Sequence, residues 1–351
     1  MTDSVRPQLV LVVGPTASGK TALACGLAQR LDAEVISADS QQCYRGLDVG
    51  TAKPSADERA LAPHHLLDIA APEEQLDAAT FIARADAAIA DVLSRGKRAL
   101  VVGGTGLWIR ALVCGLVDAP GRDDSFRAKL RERIEREGLP SLYAELAQID
   151  PEAAARILPG DRVRIERALE VHAATGQTIS ALHRAHRFAE RRYRARVVLL
   201  DPPRPLLWQR IEQRTRALFT PEPAAHDSAG REPPIIRETR TLLERATQIP
   251  TAAKALGIIG YTEAGAAIAA GATPAALDAA CLATAARTRQ YAKRQRTWFK
   301  KDAPTLDETG AALSWPPLPH ADASSISEAA AEAAAFDALC SGLREWYEKA
   351  R

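Results

Sequence analysis

A segment near the N-terminus, GPTASGKT at residues 14–21, combines residue types and a spacing that can bind phosphate groups. It fits the pattern G-x-x-x-x-G-K-[ST]. Its glycines allow backbone torsions that turn consecutive N–H groups inward, and such groups at a helix N-terminus bind anions. Lys20 would add a full positive charge, and the Thr21 hydroxyl can ligate Mg²⁺. The pattern predicts a site for a diphosphate or a longer phosphate chain, formed by Gly14, Pro15, Thr16, Ala17, Ser18, Gly19, Lys20 and Thr21.

Two further polar segments could contribute to the same cleft. They read SADSQQCYRGLDVGTAKP at residues 37–54 and GGTGLW at residues 103–108, and each follows a short apolar run. Ligands of parallel α/β sheets bind beyond the carboxyl ends of the strands. We therefore expect Asp39 to lie near the phosphate-binding loop. Thr105, between two glycines, would let a hydroxyl group and bare backbone approach the same ligand.

The elements that must position these loops indicate an α/β fold. Apolar runs at residues 8–13, 33–39, 98–104 and 194–201 are typical of buried strands, and helical patterns alternate with them. We predict a parallel sheet like that of P-loop NTPases, flanked by helices, with an inserted all-helical domain.

Four regions follow from this organisation. Residues 1–118 form the first part of the α/β core, and residues 119–196 form the helical insertion, in which Asp161 is a predicted N-cap. Residues 197–304 form the second part of the core and end in a basic helix. Residues 305–351 are predicted to be a linker-like tail with a terminal helix from about Ser327 that docks loosely or not at all. The Pro- and Gly-rich segment at residues 220–235 is predicted to be a mobile loop.

Charge is distributed unevenly along the chain. The formal net charge is only +2, which excludes a polycation, yet residues 287–301 read RTRQYAKRQRTWFKK, with seven basic residues and no acidic one. On a helix Arg289, Lys293, Arg296 and Lys300 share one face, with the aromatic Tyr291 and Trp298 nearby. Such a face suits a polyanion, although a solvated basic helix is the simpler interpretation.

Other features exclude several classes of protein. The five cysteines contain no CxxC pair, so neither a zinc site nor a disulfide framework is expected. No apolar run approaches the roughly 20 residues that span a bilayer, and the N-terminus lacks a signal-peptide pattern. We expect a cytoplasmic protein that binds no membrane.

Six ordered motifs together resemble the tRNA dimethylallyltransferase family, also called tRNA isopentenyltransferases or IPP transferases. They are GPTASGKT, DSQQCYRGLDVGTAKP, GGTGLW, RILPGDRVRIERALEV, IIGYTE and TRQYAKRQRTWFK, and they extend over about residues 9–300. The resemblance implies transfer of a dimethylallyl group from dimethylallyl diphosphate to the exocyclic N6 amine of an adenosine. That adenosine lies directly 3′ of the anticodon in tRNAs that read codons beginning with U. The phosphate-binding loop would then hold a leaving group rather than a nucleoside triphosphate.

The resemblance also implies roles for individual residues. Asp39 matches the general base, Thr105 a residue of the channel where amine and diphosphate meet, and Lys20 and Arg214 the groups that stabilise the diphosphate. The positions that match tRNA contacts are Asp39, Ser40, Gln41, Gln42, Thr105, Arg127, Val163, Arg164, Ile165, Glu166, Arg167, Lys293, Arg294, Arg296 and Lys300. Mg²⁺, held partly by Thr21, is the implied cofactor. The implied partners are the tRNA anticodon stem-loop and dimethylallyl diphosphate, and the protein is expected to be a monomer.

Three other functions stay open at the level of the residues. A small-molecule or nucleoside kinase could use the same loop for ATP, but it would leave the basic helix unexplained. An RNA-stimulated NTPase would need Asp201, at a strand end, as a Mg²⁺ ligand, although a turn carboxylate is the favoured interpretation of Asp201. An enzyme that prenylates free adenine nucleotides would not need an RNA-binding surface. Whether ATP also binds is open as well.

Overall fold

The structure is a computed structural model that describes residues 6–186, 190–221, 232–315 and 326–349. The chain divides into two compact units. The first unit consists of residues 1–113 and 192–351, and the second of Cys114–Arg191.

Within the residues that the structure describes, the first unit is built on one parallel sheet of six strands in the order β3-β2-β4-β1-β5-β6. The strands are β1 (Gln8–Val13), β2 (Ala33–Ser37), β3 (His64–His65), β4 (Arg98–Gly103), β5 (Arg194–Leu200) and β6 (Leu313–Trp315). In β1 every residue from Leu9 to Val13 is buried. This burial explains the continuous apolar run, because strands that helices cover on both faces do not alternate in polarity. The predicted α/β fold with a parallel sheet is confirmed.

In the described parts of the chain, fourteen α-helices flank the sheet or form the second unit. The first unit begins with α1 (Lys20–Leu31), α2 (Ala56–Leu61), α3 (Ala78–Ser94) and α4 (Gly106–Cys114). The second unit is made of α5 (Asp124–Glu137), α6 (Leu139–Ile149), α7 (Pro151–Arg156), α8 (Arg162–Thr175) and α9 (Ile179–His186). The first unit resumes with α10 (Arg204–Phe219), α11 (Pro234–Gln248), a 3₁₀ helix (Pro250–Gly257), α12 (Tyr261–Ala269), α13 (Pro274–Leu306) and α14 (Ile326–Glu348).

The second unit is a helical bundle around its own apolar core, which includes Leu130, Leu146 and Ile165. The Asp161 carboxylate accepts a hydrogen bond from the Arg164 N–H at the start of α8, so the predicted N-cap is confirmed. The unit spans Cys114–Arg191 rather than residues 119–196. The difference at the C-terminal end has a simple cause, because Arg194–Arg196 already pair with β1 in the sheet.

The C-terminal region differs from its prediction. The basic helix α13 continues to Leu306, and Leu313–Trp315 form the edge strand β6 beside β5. The terminal helix α14 docks on the core, where Leu343 and Tyr347 are buried with residues of α1. The ring of Phe336 lies against Gly26 of α1, a position that leaves room for an aromatic ring because it has no side chain. The prediction of a linker-like tail with a loosely docked helix was therefore wrong for these residues.

Two other sequence-based expectations concern mobility and membranes. Most of the predicted mobile loop, residues 222–231, lies outside the described residues. Among the residues that the structure describes, none of the helices has the length and apolar character required to cross a bilayer.

Candidate active site

The phosphate-binding loop connects β1 to α1, as the sequence predicts. Gly14 adopts a φ of 152° and approaches the Leu200 carbonyl so closely that a Cβ atom would collide with it. Gly19 has a φ of 94° and is the N-cap of α1, so both glycines occupy backbone conformations that other residues resist. Lys20 and Thr21 lie in the first turn, whose N–H groups have no acceptor within the helix. The loop thus presents backbone donors and a lysine at a helix N-terminus.

Lys20, Asp39 and Arg214 form one electrostatic neighbourhood. Desolvation of the Lys20 ammonium lowers its pKa to about 8, with Asp39 opposing the shift and Arg214 adding to it. Burial likewise lowers the pKa of Arg214, and the Asp39 carboxylate opposes that shift too. Nη1 of Arg214 donates a hydrogen bond of 3.1 Å to Oγ1 of Thr16, inside the phosphate-binding loop. The structure therefore brings together three of the four residues that the sequence assigns to catalysis.

Thr105, the fourth of these residues, connects the second and third loops. Its Oγ1 accepts a hydrogen bond of 3.0 Å from the Ser40 N–H, and its own N–H donates to the Ala38 carbonyl. In the chain, Asp39 lies between Ala38 and Ser40, the two residues that Thr105 contacts. Its Oδ1 accepts a hydrogen bond of 2.9 Å from the Gln41 N–H. Because backbone on both sides of Asp39 is fixed by Thr105, the carboxylate has a defined position at the end of β2.

Residues 39–42, which the sequence predicts to contact tRNA, are supported by the chain around Ala52. Nε2 of Gln42 donates to the Ala52 carbonyl at 2.8 Å, so this amide is used inside the protein. The loop around Ala52 is held by Glu238 of α11, which accepts hydrogen bonds from the Val49 and Gly50 N–H groups at 3.0 and 3.1 Å. The carboxylate also accepts a hydrogen bond from the buried Tyr261 hydroxyl. Sequence reasoning missed Glu238, because nothing near it in the chain indicates its partners.

Gln295 of α13 was also missed, and it links two loops of the site. Its Oε1 accepts a hydrogen bond of 2.8 Å from the Thr16 N–H, and its Nε2 donates one of 3.0 Å to the Gly104 carbonyl. The side chain is buried, 6% exposed. A periodicity could have indicated this, because Ala292, Gln295 and Phe299 recur at helical spacing on the buried face of α13.

The basic side chains of α13 differ in their surroundings. Nε of Arg296 lies 2.5 Å from Oδ1 of Asp201, and Nζ of Lys300 lies 3.2 Å from Oδ2 of Asp201. Lys293 and Arg294 are exposed. Asp201 therefore neutralises part of the basic face, and its two cations do not suit the alternative role of a Mg²⁺ ligand.

Tyr291 and Trp298, the aromatic residues predicted to lie near the basic face of α13, do not form a free surface. The Trp298 ring packs against Gly106, and Arg110 lies over it at 5.8 Å. Burial, and after it the Asp39 carboxylate, raises the pKa of Tyr291 above its usual value. Tyr291 thus lies near the predicted general base.

The residues of the second unit that the sequence assigns to tRNA fall into two groups. Val163 and Arg164 are exposed, at 69% for Val163 and 70% for the Arg164 side chain. Ile165 is buried in the core, and Glu166 is buried beside Arg162, with 2.5 Å between Oε1 and Nε. The prediction that Ile165 and Glu166 contact a partner needs correction, because α8 turns this part of its surface inward.

Arg127 and Arg167 are held by one buried carboxylate. Nε and Nη2 of Arg127 each donate a hydrogen bond of 2.9 Å to Glu170, and Nη1 of Arg167 donates one of 2.7 Å. Burial alone would raise the pKa of Glu170, but these hydrogen bonds outweigh it and lower the pKa to about 2. The Arg127 side chain is only 15% exposed, so its main contact is internal.

Metal-ligating side chains are sparse around the site. No group of three or more His, Cys, Asp or Glu residues that could hold an ion occurs in the described part of the chain. Thr21 offers one hydroxyl group at the N-terminus of α1. This donor set fits only an ion that takes most of its ligands from substrate phosphates and water, as Mg²⁺ does.

Known proteins resemble this chain over most of its length. The IPP transferase family model matches residues 42–302. The tRNA dimethylallyltransferase of Anaeromyxobacter dehalogenans (strain 2CP-C) is 52% identical over 295 residues, which are 84% of this chain and 92% of that protein. The tRNA dimethylallyltransferase of Myxococcus xanthus is 45% identical over 314 residues, 89% of this chain and 94% of that protein.

Solved structures are similar as well. The full-length tRNA isopentenylpyrophosphate transferase of Bacillus halodurans is 31% identical and superposes with a TM-score of 0.60, covering 97% of this chain and 100% of that one. A eukaryotic dimethylallyltransferase acting on tRNA superposes with a TM-score of 0.72 at 25% identity, covering 92% of this chain and 77% of that one. With the family model matching most of the chain, including the loops around Gln42 and Thr105 and the helix with Gln295, this protein belongs to the IPP transferase family.

Proposed function

We propose that this protein transfers the dimethylallyl group of dimethylallyl diphosphate to the N6 amine of the adenosine 3′ of the anticodon in tRNA. The single observation that carries the proposal is the shared electrostatic neighbourhood of Lys20, Arg214 and Asp39. Two cations at a phosphate-binding loop suit a departing diphosphate. A carboxylate beside them suits an amine that must lose a proton.

The first half of the chemistry is the departure of diphosphate. The bond between the allylic carbon and the diphosphate oxygen breaks, and that oxygen takes the electron pair. Donors that are already oriented towards developing charge are the strongest catalytic device available to a protein. The N–H groups at the start of α1, Lys20 and Arg214 provide such donors. The hydrogen bond between Arg214 and Thr16 holds the guanidinium against the loop.

The second half is attack by the amine. The N6 lone pair forms the new bond to the allylic carbon, and one amine proton passes to Asp39. A general base in hydrogen-bond reach contributes about 10²- to 10⁴-fold. Thr105 fixes the backbone beside Asp39 and thus the direction of its carboxylate. Diphosphate and prenylated RNA are the products.

We also propose that Mg²⁺ assists this reaction. Thr21 would hold the ion together with diphosphate oxygens and water, since the described residues offer no carboxylate cluster for it. When bound, Mg²⁺ would neutralise charge on the diphosphate. The protein residues then need to supply only part of the positive charge.

For the transfer to occur, the target adenosine must leave the base stack of the RNA, at a cost of a few kcal/mol. Exposed cations that could bind phosphates are Lys293 and Arg294 on α13 and, in the second unit, Arg164. Arg167, Arg296 and Lys300 remain proposed contacts, although each of them, like Arg164, already has a carboxylate partner. We extend the proposal to a monomeric protein that acts in the cytoplasm, on the anticodon stem-loop that the family resemblance implies.

The test incubates the full chain with Mg²⁺, labelled dimethylallyl diphosphate and unmodified tRNA that carries adjacent adenosines 3′ of its anticodon. Label should appear on N6 of the adenosine and diphosphate should be released. Asp39→Asn keeps an oxygen for the Gln41 N–H but removes the base, so transfer should fall about 10²- to 10⁴-fold. Asp57→Asn, at an exposed carboxylate in α2, is the matched control and should act like the wild type.

Two results would contradict the proposal. ATP hydrolysis without label transfer would favour a kinase or an RNA-stimulated NTPase. Prenylation of free adenine nucleotides but not of tRNA would favour the nucleotide-prenylating class.

A further inference from the structure

Gln295 forms hydrogen bonds to two of the three loops of the candidate site, the phosphate-binding loop and the loop that carries Thr105. Its Oε1 accepts a hydrogen bond from the Thr16 N–H in the phosphate-binding loop. Its Nε2 donates a hydrogen bond to the carbonyl of Gly104, the residue before Thr105. Gly104 has no side chain, and a Cβ atom there would collide with the Gln295 amide.

The orientation of this amide is fixed by its partners. A backbone N–H can only donate and a carbonyl can only accept. The oxygen of Gln295 must therefore face Thr16 and the nitrogen must face Gly104. The reverse orientation would bring two donors together and two acceptors together, and the site is buried, where unpaired polar groups are costly.

Each of these two contacts connects Gln295 indirectly to a proposed catalytic residue. Thr16 also accepts, through its hydroxyl, the hydrogen bond from Arg214. Thr105, directly after Gly104, accepts the Ser40 N–H and so fixes the backbone beside Asp39. One amide thus lies between the leaving-group side and the base side of the reaction centre.

We propose that Gln295 is a positioning residue that sets the separation between the diphosphate held by Arg214 and the amine deprotonated by Asp39. This inference rests on the proposed prenyl transfer and adds a residue to it. A displacement of about 1 Å in such a site can lower a rate about 100-fold. Because Gln295 lies on the buried face of α13 while Lys293 and Arg294 are exposed on the same helix, RNA binding by α13 and alignment of the two loops share one element.

The first test replaces the amide with a side chain of similar length that forms no hydrogen bonds. Gln295→Met should lower kcat/KM for transfer about 10- to 100-fold, while the affinity for tRNA stays within about twofold of wild type, since Lys293 and Arg294 are intact. Gln290→Met, at an exposed glutamine of the same helix, is the matched control. Unfolding in urea shows whether each variant is folded.

The second test measures the pH dependence of activity, which a loss of packing alone would not change. In Gln295→Glu the introduced carboxylate still accepts from Thr16 but repels the Gly104 carbonyl. The Tyr291 hydroxyl, which is in hydrogen-bond contact with this side chain, has a pKa raised by burial and stays neutral over the range tested. Burial likewise raises the pKa of the introduced carboxyl group, and once protonated it can donate to Gly104 again. The ratio of Gln295→Glu to wild-type activity should therefore rise at least about tenfold as the pH falls from about 8 to about 5.5. Gln290→Glu should give a flat ratio.

The outcomes separate this inference from the proposed function. If the wild type transfers no label to tRNA, the proposed function fails first. If the wild type is active but Gln295→Met keeps activity within about twofold, or if the Gln295→Glu ratio is flat with pH, Gln295 does not position the site. Should Gln295→Met fail to fold, the pH ratio of Gln295→Glu decides alone.

Discussion

Arg214 offers the sharpest test of how the site stabilises charge. Its guanidinium donates to Thr16 at 3.1 Å and interacts with both Lys20 and Asp39. Arg214→Gln removes the charge but leaves an amide of intermediate length. Removing one such oriented donor costs about 10²- to 10³-fold in rate, which is about 2.7–4 kcal/mol of transition-state stabilisation. We therefore expect single-turnover transfer to tRNA to slow by that factor.

The same substitution should change the pH dependence in a defined direction. Arg214 helps to lower the pKa of Lys20, so its removal should raise that pKa and move the alkaline loss of activity to higher pH. The assay measures single-turnover transfer of labelled dimethylallyl groups across a pH series, with saturating tRNA. Arg216→Gln, at an exposed arginine of the same helix, is the control. A rate for Arg214→Gln within about threefold of wild type, with an unchanged pH profile, would refute the assigned role.

Three further predictions concern the pH response, the second unit and the tail. Lys20 has a pKa of about 8 and is therefore charged below that pH. The affinity of the wild type for dimethylallyl diphosphate, measured by calorimetric titration, should fall as the pH rises through about 8. Lys20→Arg should not show this loss of affinity. Arg127→Gln removes two hydrogen bonds from buried Glu170. It should lower the free energy of unfolding, measured by urea denaturation, by about 3 kcal/mol. Weaker tRNA binding at unchanged stability would contradict an internal role for Arg127. Leu343→Ala, at a side chain 1% exposed, should cost about 3 kcal/mol in the same assay, and a cost below about 0.5 kcal/mol would show that α14 does not dock.

The local elements and the main loops could be predicted because their determinants are local in sequence. The buried strand before Gly14 is visible as an apolar run, and the loop from Gly14 to Thr21 as a pattern of glycines, lysine and hydroxyl. Asp39 and Thr105 follow from the rule that parallel strands present ligands at their carboxyl ends. The position of Asp161 as an N-cap is likewise a matter of adjacent residues.

The partners of side chains that lie far apart in the chain could be found only in the folded structure. Gln295 and Thr16 are separated by 279 positions, and Glu238 and Val49 by 189. The pairing of Asp201 with Arg296 and the docking of α14 are of the same kind. The periodicity of apolar residues indicates which face of a helix is buried, but not which distant backbone groups that face contacts. The sequence therefore predicted where the phosphate-binding loop and Asp39 would lie, whereas packing determined which residues hold them in place, because such contacts exist only once the chain has folded.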